Sequence, residues 1–177
     1  LVQPPMLGRS ISVPTGQKSY LDSVDGKSFR VSSPSFFQVN IEQAAEVVRV
    51  LRRWLGLNPE QVLLDAYAGV GTFAILLAPY VKKVIAVEES SAAVADAKEN
   101  TASIGNVEFA LGKTEDVLGW LAEKPDVVIL DPPRAGCQPQ ALHSLIKLAP
   151  PRVTYVSCDA ETLARDLRLL CEGPYTL

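Results

Sequence analysis

Val62-Leu63-Leu64-Asp65-Ala66-Tyr67-Ala68-Gly69-Val70-Gly71-Thr72-Phe73-Ala74-Ile75-Leu76-Leu77 is the stretch on which the fold turns. Its first four residues read as a short buried strand ending in a carboxylate, its middle as a glycine turn, and its end as a helix with apolar residues at Phe73, Ile75, Leu76 and Leu77. Gly69 and Gly71 remove side chains where backbone must approach a ligand closely, and either suits a positive φ. Asp65 falls at the strand's carboxyl end, where open α/β sheets bind their ligands.

A glycine turn after a strand also serves dinucleotide enzymes, and Ala74 stands where the looser form of their fingerprint allows a third small residue. The next apolar run, Val84-Ile85-Ala86-Val87, ends in Glu88, an acid placed to accept both hydroxyls of a ribose. The local chemistry is that of an adenosine-type cofactor.

Working outward, strands and helices alternate. Strand-like runs are Val62 to Ala66, Lys83 to Val87, Val107 to Leu111, Asp126 to Leu130 and Val153 to Ser157. Helical stretches lie near Gly71 to Pro79, Ser91 to Ser103, Thr114 to Ala122, Gln138 to Leu148 and Glu161 to Leu170. Short apolar strands separated by helices predict a parallel sheet covered on both faces, a doubly wound α/β fold. Upstream, Ile41 to Leu55 carries a broad apolar face with Asn40 as N-cap and Gly56 as stop. The alanines of Ser91 to Ser103 predict close packing on the sheet. Residues 1–32 read as linker and hairpin, Ser19 to Val24 pairing with Lys27 to Val31 across Asp25-Gly26, the remnant of a preceding β region. Residues 33–177 form the main domain.

The 177 residues and 47% hydrophobic content suit one domain with a real core. A net charge of −3 lacks the basic excess of a self-sufficient nucleic-acid binder. Cys137, Cys158 and Cys171 have neither zinc-ligand nor disulfide-framework spacing, so no metal is expected and a reducing cytoplasm is. The longest apolar runs are too short to span a membrane.

Three further stretches sit where chemistry belongs. Asp131-Pro132-Pro133-Arg134-Ala135-Gly136 follows a strand, and two prolines hold its backbone rigid at the cleft. Tyr155-Val156-Ser157-Cys158-Asp159 brings a cysteine to the same rim, as a nucleophile or as a small buried hydrophobe. Ser35-Phe36-Phe37-Gln38-Val39-Asn40 offers aromatics to stack on a flat ring and an amide to bond its edge, or a staple and cap for the helix that follows. Asn100 and the single His143 are candidate ligands, and a surface or core role is favoured for His143 because no triad or metal set accompanies it.

Taken together, Ser-Phe-Phe-Gln-Val-Asn (35–40), Leu-Asp-Ala-Tyr-Ala-Gly-Val-Gly-Thr-Phe (64–73), Val-Glu (87–88), Asp-Pro-Pro-Arg-Ala-Gly (131–136) and Tyr-Val-Ser-Cys-Asp-Ala-Glu-Thr-Leu-Ala-Arg-Asp (155–166) resemble the RNA 5-methyluridine methyltransferases. The resemblance runs from about Ser33 onward and implies a Rossmann-like class I methyltransferase domain using S-adenosylmethionine on uridines of tRNA or large-subunit rRNA. It implies cofactor contacts from Gln38, Asp65, Tyr67, Gly69, Gly71, Phe73, Glu88 and Asp131, a cleft lined by Gln38, Phe37 and Asp131, and Cys158 as nucleophile. RNA contacts are expected partly outside this chain.

Departures accompany the likeness. Asp159-Ala160 replaces the family's Asn-Pro, and Asp159 is expected to raise the Cys158 pKa. Lys113 stands where an Asn or Asp often faces adenine. The family's glutamate base is expected beyond the last helix, so this stretch alone is expected to be inactive. Two alternatives stay open: an amino-group methyltransferase, disfavoured by Arg134 where an aromatic is usual, and a cofactor-binding scaffold without catalysis.

Overall fold

A computed structural model describes residues 18–33, 35–37 and 40–177. Strands β1 (Ser19–Val24) and β2 (Lys27–Ser32) form an antiparallel hairpin in which Val24 faces Lys27 across the Asp25-Gly26 turn. Both turn residues have positive φ, 48° and 75°, as a tight two-residue hairpin connection requires.

Helix α1 (Ile41–Leu55) starts where Asn40 Oδ1 accepts the Gln43 amide at 3.0 Å and stops where Gly56 turns left-handed. Its buried stripe of Ala44, Ala45, Val48, Leu51 and Leu55 follows the helical period. The rest alternates: β3 (Val62–Asp65), α2 (Thr72–Leu77) with a 3-10 turn (Ala78–Tyr80), β4 (Lys83–Glu88), α3 (Ser91–Asn100), β5 (Val107–Leu111), α4 (Thr114–Trp120), β6 (Val127–Leu130), α5 (Pro139–Leu148), β7 (Arg152–Tyr155) and α6 (Ala160–Cys171).

The five strands pair in parallel in the order β5-β4-β3-β6-β7. Alternate residues point to opposite faces. Leu63, Val84, Ala86, Val127 and Ile129 join α1, α2, α3 and the hairpin in one core, while Leu64, Ile85, Val87, Val128 and Leu130 join α4, α5 and α6 in the other. That double burial explains why β3 and β6 read as unbroken apolar runs.

The hairpin packs onto the main domain: Val24, Phe29 and Val31 are fully buried in the same core as α1 and β3. The alanine series departs from the expected close packing: only Ala93 and Ala97 are buried, Ala95 faces solvent because α3 offers the sheet and hairpin one stripe only, and Ala102 lies exposed beyond the helix end. Among the described residues no helix is long and apolar enough to cross a membrane.

Candidate active site

All strand carboxyl ends share one rim, and strand order reverses between β3 and β6, the position at which a crevice opens in doubly wound sheets. Asp65 and Asp131 flank that crevice, with Asp65 in register with Ile129 and Asp131 two residues further on.

Asp65 is fully buried beneath the glycine turn. Its Oδ2 accepts the Ala74 amide at 3.1 Å, holding the first turn of α2. Oδ1 has no hydrogen bond of normal geometry among the described residues. Burial first, then the charges of Asp131 and Glu88, push its pKa up to about 7 against the pull of the Ala74 and Tyr67 amides. Burial likewise raises Asp131 to about 6. Asp131 and Glu88 thus both place negative charge beside the buried Asp65 carboxyl.

Glu88 holds the loop above. Its Oε2 accepts the Gly69 amide at 3.0 Å and its Oε1 the Ser90 amide at 2.7 Å. Gly69 and Gly71 both adopt positive φ, 55° and 90°. They differ in surroundings. A Cβ on Gly69 would meet only the Phe36 carbonyl, at 4.0 Å, whereas one on Gly71 would touch Ile75 and Phe109, each at 3.4 Å. Gly69 therefore leaves the turn open to a ligand, and Gly71 serves the packing of α2 against β5.

The aromatics separate. Phe37 is 3% exposed and tilts against Phe29 with centroids 5.6 Å apart, so its ring belongs to the core and Phe36, 56% exposed, is the ring turned outward. Phe73 is buried in that same core. Tyr67 packs on the opposite side of the sheet, and burial together with Cys137 raises its pKa strongly. Gln38 lies outside the described residues. Asn100 is structural, its side-chain amide bonding both the Arg30 backbone and the Val70 carbonyl. His143 is exposed on α5, and Lys113 is exposed at the start of α4.

Cys158 is exposed on the loop between β7 and α6, which excludes the buried-hydrophobe reading. Asp159 Oδ1 caps α6 by accepting the Glu161 and Thr162 amides, both at 3.1 Å, and Oδ2 lies 3.4 Å from Arg134 Nε. Those bonds, the Thr162 amide first, hold its carboxyl below the usual range.

The sequence reading passed over two buried acids. Asp96 on α3 is 1% exposed and accepts from Arg30, from the Ser32 amide at 2.8 Å and hydroxyl at 2.6 Å, and from the Ser35 hydroxyl at 2.6 Å. Asp166 on α6, also 1% exposed, accepts from the Cys137 amide at 2.7 Å and the Tyr155 hydroxyl at 2.6 Å. Each sits on the apolar stripe of its helix, a signal present in the sequence. Among the described residues no cluster suited to a metal ion occurs.

A parallel sheet with a glycine turn after its first strand, acids at three adjacent strand ends and a thiol on the next loop defines a class I methyltransferase fold. The chain belongs to the methyltransferase-domain family, whose profile matches residues 57–175. It is 44% identical over 151 residues to an uncharacterized RNA methyltransferase of Synechocystis, covering 84% of this chain and 33% of that protein. A second, from Thermosynechococcus vestitus, is 41% identical across 97% of this chain and 39% of its own length. The chain thus spans 33% to 39% of the length of these relatives. Among solved structures, the Pyrococcus abyssi tRNA (uracil-54, C5)-methyltransferase, crystallised with S-adenosyl-L-homocysteine, superposes with a TM-score of 0.74 at 31% identity, covering 88% of this chain and 38% of that one. TYW2 from M. jannaschii, at 24% identity and a TM-score of 0.59, shares the fold.

Proposed function

We propose that this chain is the catalytic domain of an S-adenosylmethionine-dependent RNA methyltransferase that methylates C5 of a uridine in tRNA or rRNA through a covalent bond from Cys158 to C6. The observation that carries the reading is the exposed Cys158 thiol on the loop after β7, beside the strand whose end presents Asp131. The likeness to the uracil-C5 enzyme of Pyrococcus abyssi supports it.

The residues present fit such a cofactor. Glu88 is placed for ribose hydroxyls, Gly69 leaves the turn open, and the acidic rim with the orphaned Asp65 oxygen favours a cationic group. When bound, S-adenosylmethionine supplies an electrophilic methyl group. C5 of uracil is by itself a poor nucleophile, which gives Cys158 its task. The thiolate sulfur bonds to C6, and the displaced C5–C6 π pair passes to O4 as an enolate that makes C5 nucleophilic. Once C5 carries the methyl group, a base removes its proton, the C5–C6 double bond re-forms, and the sulfur leaves with its electron pair. Asp131 stays in the crevice between ring and cofactor.

The test uses the natural full-length protein with S-adenosylmethionine and RNA carrying 5-fluorouridine, whose C5 fluorine no base abstracts. A covalent adduct mapped by mass spectrometry to Cys158 is expected. RNA binding without any adduct overturns the mechanism and leaves a scaffold or another methyl acceptor.

A further inference from the structure

The loop that begins at Asp131 and the loop that carries Cys158 arise from neighbouring strands and share few backbone bonds of their own. The Val156 amide reaches the Leu130 carbonyl at 2.7 Å, and beyond it the strands part. At the exposed edge Arg134 Nε lies 3.4 Å from Asp159 Oδ2, and beneath it a buried carboxylate from α6 spans the gap. Asp166 Oδ2 accepts the Cys137 amide, which closes the Asp131 loop, at 2.7 Å. The same oxygen accepts the hydroxyl of Tyr155, three residues before Cys158, at 2.6 Å. Oδ1 takes both nitrogens of Arg165, at 2.8 and 2.7 Å, and Arg165 Nη2 continues to the Ala135 carbonyl at 2.9 Å.

The fit leaves no slack. A Cβ on Gly136 would lie 2.6 Å from Asp166 Oδ2 and 2.5 Å from Arg165 Nη2, so only glycine lets the loop lie against this pair. The Thr162 hydroxyl adds a bond to the Arg134 carbonyl at 3.2 Å. Among the described residues, every donor the carboxylate receives comes from the Asp131 loop, from Tyr155 at the end of β7 or from the arginine that ties that loop down.

We propose that Asp166 is a positioning residue for the reaction put forward above, and the inference rests on that reading: it holds the Asp131–Cys137 loop and the Tyr155–Cys158 segment at the separation at which thiol, ring and crevice meet. It touches no reacting atom. Misplacement of such groups by about an ångström costs on the order of 100-fold in rate.

The experiment follows the time course of adduct formation by the natural full-length protein with saturating 5-fluorouridine RNA and S-adenosylmethionine. Asp166→Asn keeps the shape but replaces one acceptor oxygen with a donor, and Tyr155→Phe removes a single donor while leaving Cys137 and Arg165 engaged. Asp166→Asn is expected to slow the adduct about 10- to 100-fold. Its final amplitude and its dissociation constants for cofactor and RNA are expected to stay within about 2-fold of the unaltered protein, and Tyr155→Phe to slow the adduct by less. An unchanged rate in both variants overturns the proposal. So does an amplitude that falls with the folded fraction at an unchanged rate, which marks a merely structural acid. Should Asp166→Asn fail to fold, Tyr155→Phe decides by the same criteria. An unaltered protein that forms no adduct overturns the uridine reading and this proposal together, whereas variants that match a reactive parent overturn the positioning role alone.

Discussion

Glu88 Oε2 accepts the Gly69 amide hydrogen at 3.0 Å, so the acid expected to hold a ribose also fixes the turn on which that ribose would lie. On the proposed reading, one side chain serves recognition and preorganisation together. Glu88→Ala removes the bonds to Gly69 and Ser90, and charge-assisted bonds to backbone amides are worth about 1.5–3 kcal/mol each when lost from a partly buried site. Calorimetric titration with S-adenosylmethionine is expected to show at least about a 10-fold weaker dissociation constant, with no competition by NAD in either protein. Glu88→Gln, which keeps an acceptor, should lose less.

Cys158 is exposed and packs in neither core, so Cys158→Ser leaves folding untouched. The unfolding free energy should stay within about 0.5 kcal/mol of the unaltered protein. The same variant should form no adduct with 5-fluorouridine RNA. A mass shift that persists would place the nucleophile elsewhere.

Stability should fall with rising pH because of Asp65. Its folded pKa, about 7, lies above that of an unfolded aspartate, so between those values the folded state binds the extra proton. This contribution therefore declines as pH rises through that window and is constant above it, and Asp131, raised to about 6, acts in the same sense. Asp65→Asn should flatten the slope and make the variant more stable than its parent at pH 8, by about a few kcal/mol at most. Urea unfolding at pH 5 and pH 8 reads this directly. A parent whose stability rises over that interval as steeply as the variant's contradicts it.

The two glycines of the turn should respond differently. Gly71→Ala places a methyl group at φ 90° against Ile75 and Phe109, a combination costing about 1–3 kcal/mol. Gly69→Asn occupies a left-handed position with open space beside it and should cost little stability while weakening cofactor binding. Thermal melts paired with calorimetry separate these effects.

Asp159 tests the departure from the family pattern. Asp159→Asn preserves the cap on α6 and should leave the melting temperature close to that of the parent, whereas Asp159→Ala should lower it. Because the folded carboxyl titrates below its usual range, its stabilising contribution is present above the unfolded pKa and lost as pH falls through the folded one. The gap between the parent and Asp159→Ala should accordingly close in acid.

The fold was legible because its signals are local. The caps at Asn40 and Gly56, the Asp25-Gly26 turn and the apolar runs of β3, β4 and β6 all lie where the pattern places them, with ends shifted by a residue or two. The Ser91 helix stops sooner, at Asn100, because the backbone at Thr101 leaves helical geometry as its hydroxyl bonds back to Ala97. Side-chain partnerships were less legible. Asp166 meets Cys137 across 29 positions and Asp96 meets Ser35 across 61, and no periodicity encodes which distant donor a buried acid will find. Phe37 illustrates the same limit: neighbouring aromatics look alike in sequence, and only tertiary packing against Phe29 sorts the core ring from the exposed one.

The Asp96 cluster carries a consequence for the order in which the molecule closes and opens. Ser35, bound by that acid, leads directly into Phe36, whose carbonyl lies beside Gly69, so an early segment of the chain borders a turn formed by its middle. Among the described residues that segment has no sheet ladder of its own, and it leans on α3, which must already be folded to receive it. Its amides should therefore exchange with solvent hydrogen well before those of β3 and β4, a local opening that bares the crevice while the sheet stays whole.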